Sequence, residues 1–80
     1  MDLENNLRSE IDKWTKKIET EMKNVKVIDK KNENFLTNIR AYIKDSKYFL
    51  EKGDLVRSFE AIVWAWSWLE ILKELNVVDF

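Results

Sequence analysis

No cysteine, histidine or proline occurs in this sequence, and glycine occurs once, at Gly53. Without cysteine the chain forms no disulfides, thiolate nucleophiles or sulfur-ligated metal sites. Without histidine it lacks the side chain best suited to proton transfer near neutral pH, and one glycine cannot make a glycine-rich phosphate loop. Serine, tyrosine and lysine could act only in an unusual site. We therefore predict that the chain is not an enzyme and holds no metal ion or cofactor.

Long apolar runs are also missing. Charged residues interrupt the richest apolar segment at four positions between residues 60 and 74, so it falls short of the about 20 apolar residues that cross a bilayer. The first residues, Met1 to Glu4, lack the basic and apolar regions of a signal peptide. We predict a cytoplasmic protein that does not bind membranes.

The length of 80 residues predicts a single domain, residues 1–80. A domain of this size buries only about 60–65% of the surface that its unfolded chain exposes, so its stability depends on good packing or on a partner. Lysines concentrate between residues 13 and 31, whereas acidic residues predominate between residues 54 and 79. Solvated helix faces explain this pattern most simply, and complementary ends that orient an oligomer are the alternative.

The lysines of the first third could contact nucleic acid phosphates. However, the formal net charge of the whole chain is -1, and Trp14 is the only aromatic residue among those lysines. A nucleic-acid-binding domain typically carries a net positive charge and interleaved aromatic residues. We therefore predict no binding to nucleic acid.

Apolar residues recur at helical spacing in three segments, which predicts an all-α, antiparallel three-helix bundle. The predicted helices cover about residues 2–24, 32–52 and 54–75, and Asp2 is the expected N-cap of the first. Gly53 suits the left-handed position that closes a helix, and Asp54 immediately offers an N-cap for the next one. With no residues left for a loop, the second and third helices must form a tight helical hairpin.

We expect the three predicted helices to meet along their main apolar faces. A strip of small residues, Ser58, Ala61 and Ala65, should let the second helix approach closely at Ser46. The hydroxyl of Tyr42 should find a hydrogen-bond partner in Asp45 or in a backbone carbonyl. The predicted core consists of Leu7, Ile11, Trp14, Ile18, Phe35, Ile39, Tyr42, Phe49, Phe59, Ile62, Trp66 and Leu69.

Two short apolar segments lie outside the predicted helices. The first, within residues 25–28, should tuck a polar loop against one end of the bundle. Asn76 should end the third helix, and Val77, Val78 and Phe80 then form an apolar tail that docks back.

The third helix carries a second apolar stripe, nearly opposite its main face, at Trp64, Trp68, Ile71 and Leu75. Two exposed indoles of about 150–250 Å² each would be a large apolar patch on a small monomer. We predict that these four residues form an interface in a protein-protein interaction or self-association module. A symmetric dimer that packs the stripes antiparallel would bury them. The alternative is a skewed bundle that buries the stripe internally.

A second hypothesis on function comes from a different class. A small-molecule binder or an enzyme would use a cleft near Tyr42, Asp45 and Glu60. A pocket with convergent polar groups beside these residues would favour this hypothesis, whereas a flat, exposed tryptophan stripe favours the interaction module.

The second and third predicted helices also carry a series of short motifs, which span about half the chain. In order, they are Ala41-Tyr42, Asp45-Ser46, Phe49, Gly53-Asp54, Phe59-Glu60-Ala61, Trp64-Ala65 and Trp68-Leu69-Glu70. The pattern resembles the archaeal domain-of-unknown-function family 357. It departs at Ser58, where alanine is usual, and at Leu72, near a position often taken by glycine. The resemblance implies a small archaeal helical bundle without an assigned activity, and it implies no catalytic residues.

Overall fold

The structure, a computed structural model, describes residues 2–79. It confirms the predicted all-α three-helix bundle, and the predicted helix limits agree with the observed ones to within the capping residues. A single turn of 3-10 helix and two very short strands complete the described fold. The elements are α1 (Leu3–Asn24), β1 (Lys26–Val27), the 3-10 turn (Lys30–Asn32), α2 (Glu33–Glu51), α3 (Leu55–Glu74) and β2 (Val78–Asp79).

α1 and α3 run parallel and pack against each other. The rings of Trp14 and Trp66 meet edge to face with their centroids 5.6 Å apart. Further along the same two helices, the Glu21 carboxylate pairs with the Lys73 ammonium at 3.2 Å. Both contacts join residues 52 positions apart, so the two helices advance in the same direction.

α2 runs antiparallel to α3. The ring of Phe35, near the start of α2, stacks on Trp68 with a centroid distance of 5.8 Å. The ring of Tyr42, two turns later, stacks on Trp64 at 6.3 Å, so residue numbers rise along α2 as they fall along α3. Because α3 contacts both α1 and α2, it is the central helix of the bundle.

The hairpin between α2 and α3 has the predicted geometry. Gly53 has a φ of 78°, which is the left-handed conformation, and its N–H donates to the Leu50 carbonyl at 3.1 Å. The N–H of Asp54 donates to the Phe49 carbonyl at 2.9 Å, and its carboxylate accepts from the Arg57 N–H at 3.1 Å. These bonds close α2 with a Schellman motif and cap α3, so the chain reverses without a loop.

Replacing Gly53 with valine should lower the free energy of unfolding by about 1–2 kcal/mol, because a β-branched residue is strained in the left-handed region. An added Cβ meets no atom within 4 Å, so the loss comes from the backbone conformation and not from a clash. Urea denaturation measures the difference. Gly53→Asn is the matched control, since asparagine tolerates this conformation better. Equal losses in the two variants would contradict the explanation.

The N-terminus of α1 and the C-terminus of α3 also have the predicted terminating residues, Asp2 and Asn76. The Asp2 carboxylate accepts from the Asn5 N–H at 2.7 Å, which caps the first turn of α1. Asn76 has a φ of 56° and follows the last turn of α3. The N–H of Val77 donates to the Leu72 carbonyl at 3.1 Å, so this end repeats the hydrogen bond that closes α2.

The two apolar segments outside the helices pair with each other. β1 and β2 are antiparallel, with Lys26 opposite Asp79 and Val27 opposite Val78. The adjacent N–H of Ile28 donates to the Val77 carbonyl at 3.1 Å. The expected docking of the tail is thus achieved by strand pairing, with Val78 buried. The part of that prediction that concerns Phe80 lies outside the described residues.

α2 and α3 come into close contact at two buried serines, as the strip of small residues predicts. The Ser46 hydroxyl donates to the Ser58 carbonyl at 2.8 Å, and the Ser58 hydroxyl donates to the Ser46 carbonyl at 2.7 Å. Ala61 and Ala65 continue this contact and are also buried. Small side chains let the two backbones come close enough for these reciprocal bonds.

The observed core corrects part of the predicted one. Ile11, Ile18, Ile39, Ile62 and Leu69 are fully buried, as expected. The remaining predicted core residues are only half-buried: Leu7, Trp14, Phe35, Tyr42, Phe49, Phe59 and Trp66. Their places are taken by smaller residues, which include Leu36, Ile43, Leu55, Ala61, Ala65, Leu72 and Val78.

The physical reason for this difference is the close packing at the serines. α2 turns Leu36, Ile43 and Ser46 towards α3, because a ring at these positions would hold the helices apart. The aromatic residues of α2 therefore lie at the edge of the helix contact. Within residues 2–79, the Tyr42 hydroxyl forms no hydrogen bond, so the predicted partner was wrong; its ring instead stacks outward on Trp64.

Candidate docking surface on the central helix

Two sides of α3 are covered by α1 and α2, and the third side faces solvent. This third side is unusually apolar. At about 100° per residue it presents five large apolar residues between the two neighbouring helices, and we call it the open face of α3. Their exposed fractions are 71% for Val56, 45% for Val63, 51% for Trp64, 46% for Ile71 and 66% for Leu75.

The four predicted interface residues lie along the α2 edge of the open face. Trp64, Ile71 and Leu75 are exposed, whereas Trp68 is half-buried because it stacks on Phe35. Trp64 also contacts α2, through Tyr42, and half of its surface nevertheless remains accessible. The stripe therefore belongs partly to the contact with α2 and partly to the solvent-facing surface.

The α1 edge of the open face is a groove of about 520 Å³. Its walls are mainly aromatic and aliphatic. The indole N–H of Trp66 donates to the Trp14 carbonyl at 3.1 Å, and that of Trp14 donates to the Glu10 carboxylate at 2.8 Å. Because both indole donors are satisfied, the groove offers apolar surface with two polar groups at its rim. It is lined by Trp14, Phe59, Ile62, Val63, Trp66, Ser67 and Glu70.

The sequence does not predict this groove, because its apolar pattern places both Trp14 and Trp66 in the core. The two indoles meet edge to face between α1 and α3 and stay half-buried, so they line a groove and are not enclosed in the core. The available signal was their position: each belongs to the main apolar stripe of its own helix. Such a stripe shows which side of a helix packs against a neighbour, but it does not show how deeply each residue is buried.

Basic side chains surround the other side of Trp14. The ammonium groups of Lys17 and Lys13 lie 4.8 and 5.3 Å from the ring centroid, within the range of cation–π contacts. A second groove of about 530 Å³ follows them between α1 and α3, and Lys16 and Glu21 line it. The lysines of α1 therefore form a basic surface that adjoins the open face of α3 at Trp14 and Trp66, which line both grooves.

Acidic residues lie among the apolar residues of the open face. Glu60, Glu70 and Glu74 are all exposed on this side of α3. Within residues 2–79, Glu60 and Glu74 form no ion pair, whereas Glu70 contacts Lys73 at 3.3 Å. The open face thus carries three exposed glutamates among its apolar residues, and we refer to these three side chains together as its acidic rim.

The basic residues of α3 are engaged by acidic partners. Arg57 pairs with Asp54 at 3.4 Å, and Lys73 pairs with Glu21 as well as with Glu70. Burial would lower the pKa of Lys73, but the hydrogen bonds and charges of Glu21 and Glu70 outweigh it and raise this pKa above its ordinary value. Lys73 therefore remains protonated at neutral pH and holds α1 against α3.

The alternative cleft involves three residues at one level of the α2–α3 contact. The register that stacks Tyr42 on Trp64 also brings Asp45 to the level of Glu60, and both carboxylates are exposed. Neither groove between α1 and α3 is lined by any of these three residues.

In residues 2–79, no group of acidic side chains clusters in a way that could hold a metal ion. No helix within that range has the length and apolar character needed to cross a membrane.

The fold and this surface define a small all-α protein whose central helix is covered on two sides and apolar on the third. The family model described as "Protein of unknown function (DUF357)" matches residues 6–78, so the chain belongs to this family. The resemblance drawn from the motifs of α2 and α3 is thereby confirmed, and it extends over α1.

A solved relative agrees with this assignment. The crystal structure of protein AF1782 from Archaeoglobus fulgidus, of the same family, superimposes with a TM-score of 0.88 at 52% sequence identity. The similarity covers 98% of this chain and 97% of the archaeal one. A comparison with curated proteins yields no match.

Proposed function

We propose that the protein is a cytoplasmic, non-enzymatic interaction module that binds a protein partner through the open face of α3. The observation that carries this proposal is the exposure of large apolar residues along one side of the central helix, at Trp64, Ile71 and Leu75. A helix that is apolar all round is normally covered all round. α3 is covered by its own chain on two sides, so a partner would supply the third.

The energetics support a docking role. Burying the exposed half of one tryptophan removes about 100 Å² of apolar surface from water, which contributes about 2.5 kcal/mol. Association costs about 4–15 kcal/mol in lost freedom, so one such anchor is too weak. The open face offers several anchors side by side, and aromatic residues are enriched among those that dominate binding energy.

Exposed apolar residues are common on soluble proteins, and their arrangement is what matters here. Leu3, Ile28 and Tyr48 are also exposed, but they lie on different elements of the fold. The residues of the open face follow one another along a single helix. Large apolar residues grouped on one side of a small monomer are typical of an interaction site.

Site-specific photocrosslinking tests the proposal. A photoreactive phenylalanine analogue at Ile71 should crosslink to a discrete partner in extracts of cells that express the protein, and Trp64→Gln should abolish that product. The same analogue at Leu3, an exposed residue on α1, is the matched control. Trp64→Gln should change the free energy of unfolding by only about 1 kcal/mol, since its side chain is half-exposed.

Two results would contradict an interaction role. Equal crosslinking from Ile71 and Leu3, unaffected by Trp64→Gln, would mean that the open face has no specific partner. A large loss of stability in Trp64→Gln would instead mean that Trp64 serves the fold of its own chain.

A further inference from the structure

We propose that the partner of the open face is a basic amphipathic helix from another protein. This inference rests on the proposed interaction function and specifies its partner. It follows from three properties of the face: the charge of its rim, the shape of its two edges, and its poor match to a second copy of itself.

The rim of the open face is acidic. Glu60, Glu70 and Glu74 are distributed along α3 over about four turns, between the apolar residues. Arg57 lies on the same side of α3, but it is paired with Asp54 and does not neutralise these glutamates. Since the formal net charge of the whole chain is only -1, the negative charge is concentrated here rather than general. Lysine or arginine flanking the apolar stripe of a partner helix would complement it.

The shape of the face suits a helix. One edge is the ridge formed by Trp64, and the other is the groove of about 520 Å³ beside Trp66. A helix lying between them would place apolar residues, spaced by three or four positions, in the groove and against the ridge. From Val56 to Leu75 the face is about 28 Å long, which a helix of about 18 residues spans.

A second copy of the chain fits this face poorly. A two-fold pairing of the open faces uses the same patch of both copies, so it brings Glu60, Glu70 and Glu74 of each copy into one interface. Like charges brought together in an interface cost several kcal/mol. The lysines of α1 would complement the rim in charge, but Lys16 and Lys23 lie on a solvated face, and Lys13 and Lys17 are already placed over the Trp14 ring. That face offers no anchors for the groove.

Titration with designed peptides tests the inference. The probe is a helical peptide of about 18 residues, with leucine along one stripe and lysine elsewhere; the control has glutamate in place of every lysine. We expect calorimetry to give at least about 10-fold tighter binding for the lysine peptide, weakened by added salt. Amide NMR signals of Val63, Trp64 and Ile71 should shift on binding.

Charge-neutralising variants show whether the rim is responsible. Glu60→Gln combined with Glu74→Gln should weaken the lysine peptide by about 5-fold or more. The control, Glu33→Gln combined with Glu51→Gln, removes the same charge from exposed sites on α2. It should leave the affinity within about 2-fold.

The outcomes separate this inference from the proposed function. If both peptides bind equally, and Trp64→Gln abolishes both, the docking surface is correct and the basic partner is wrong. If sedimentation shows a dimer that Trp64→Gln dissociates, a second copy occupies the face and the inference is overturned. If neither peptide shifts the signals of the open face and Ile71 gives no specific crosslink, both proposals fail.

Discussion

Leu69→Ala should lower the free energy of unfolding by about 3–5 kcal/mol, because the truncation removes buried methyl groups and leaves a cavity. Leu69 is fully buried in the central helix, in the core cluster that also contains Ile18 of α1 and Ile39 of α2. A domain of this size has little more than about 5 kcal/mol of stability to lose. Urea denaturation followed by circular dichroism should show the variant at or near its midpoint without urea.

Leu75→Ala is the matched control, since it makes the same substitution just beyond the same helix, at a residue that is largely exposed. Its loss should stay within about 0.5 kcal/mol. If the two variants lose equal stability, the burial of Leu69 does not account for its effect, and the described core is wrong.

Trp66→Ala has the second large expected effect, about 3–5 kcal/mol. The indole of Trp66 packs edge to face on Trp14 and donates its N–H to the Trp14 carbonyl, so the truncation removes a large part of the contact between α1 and α3. Thermal unfolding should lose its cooperative transition or shift to a much lower midpoint. Trp66→Phe should be intermediate, because it keeps a ring and loses the hydrogen bond.

Trp64→Ala gives the comparison within one helix. Trp64 lies two residues before Trp66, is half-exposed, and makes one stacking contact, with Tyr42. We expect a loss of about 1 kcal/mol, the value of an aromatic contact at an exposed edge. A cooperative transition retained in Trp66→Ala but lost in Trp64→Ala would show that the buried and open faces of α3 had been exchanged.

The ends of the helices and the hairpin could be predicted from the sequence. Asp2, Asp54 and Asn76 act at the helix termini where their positions indicated, and Gly53 has the expected left-handed conformation. The reason is that caps and turns depend on the backbone of a few consecutive residues. The family motifs of α2 and α3 could be identified for the same reason, since they follow one another along two helices that are adjacent in sequence.

The buried face of α2 could not be predicted in the same way. Phe35 and Leu36, or Tyr42 and Ile43, are neighbours in sequence, and either series has the spacing of a helix face. The contact of Ser46 with Ser58 decides which series is buried, because it draws the helices together and leaves the rings at the edge. Such a steric constraint depends on residues of two helices at once.

Helical periodicity showed that α3 is apolar on two faces, and it identified Trp64, Trp68, Ile71 and Leu75 as the second stripe. Tertiary packing then decided whether each of these residues is buried or exposed. Phe35 stacks on Trp68 and leaves it half-buried, whereas Trp64, Ile71 and Leu75 stay exposed although Tyr42 stacks on Trp64. The pair Trp14–Trp66 forms a groove beside them. Periodicity is a property of one segment, whereas burial is a relation between segments that the chain brings together only on folding.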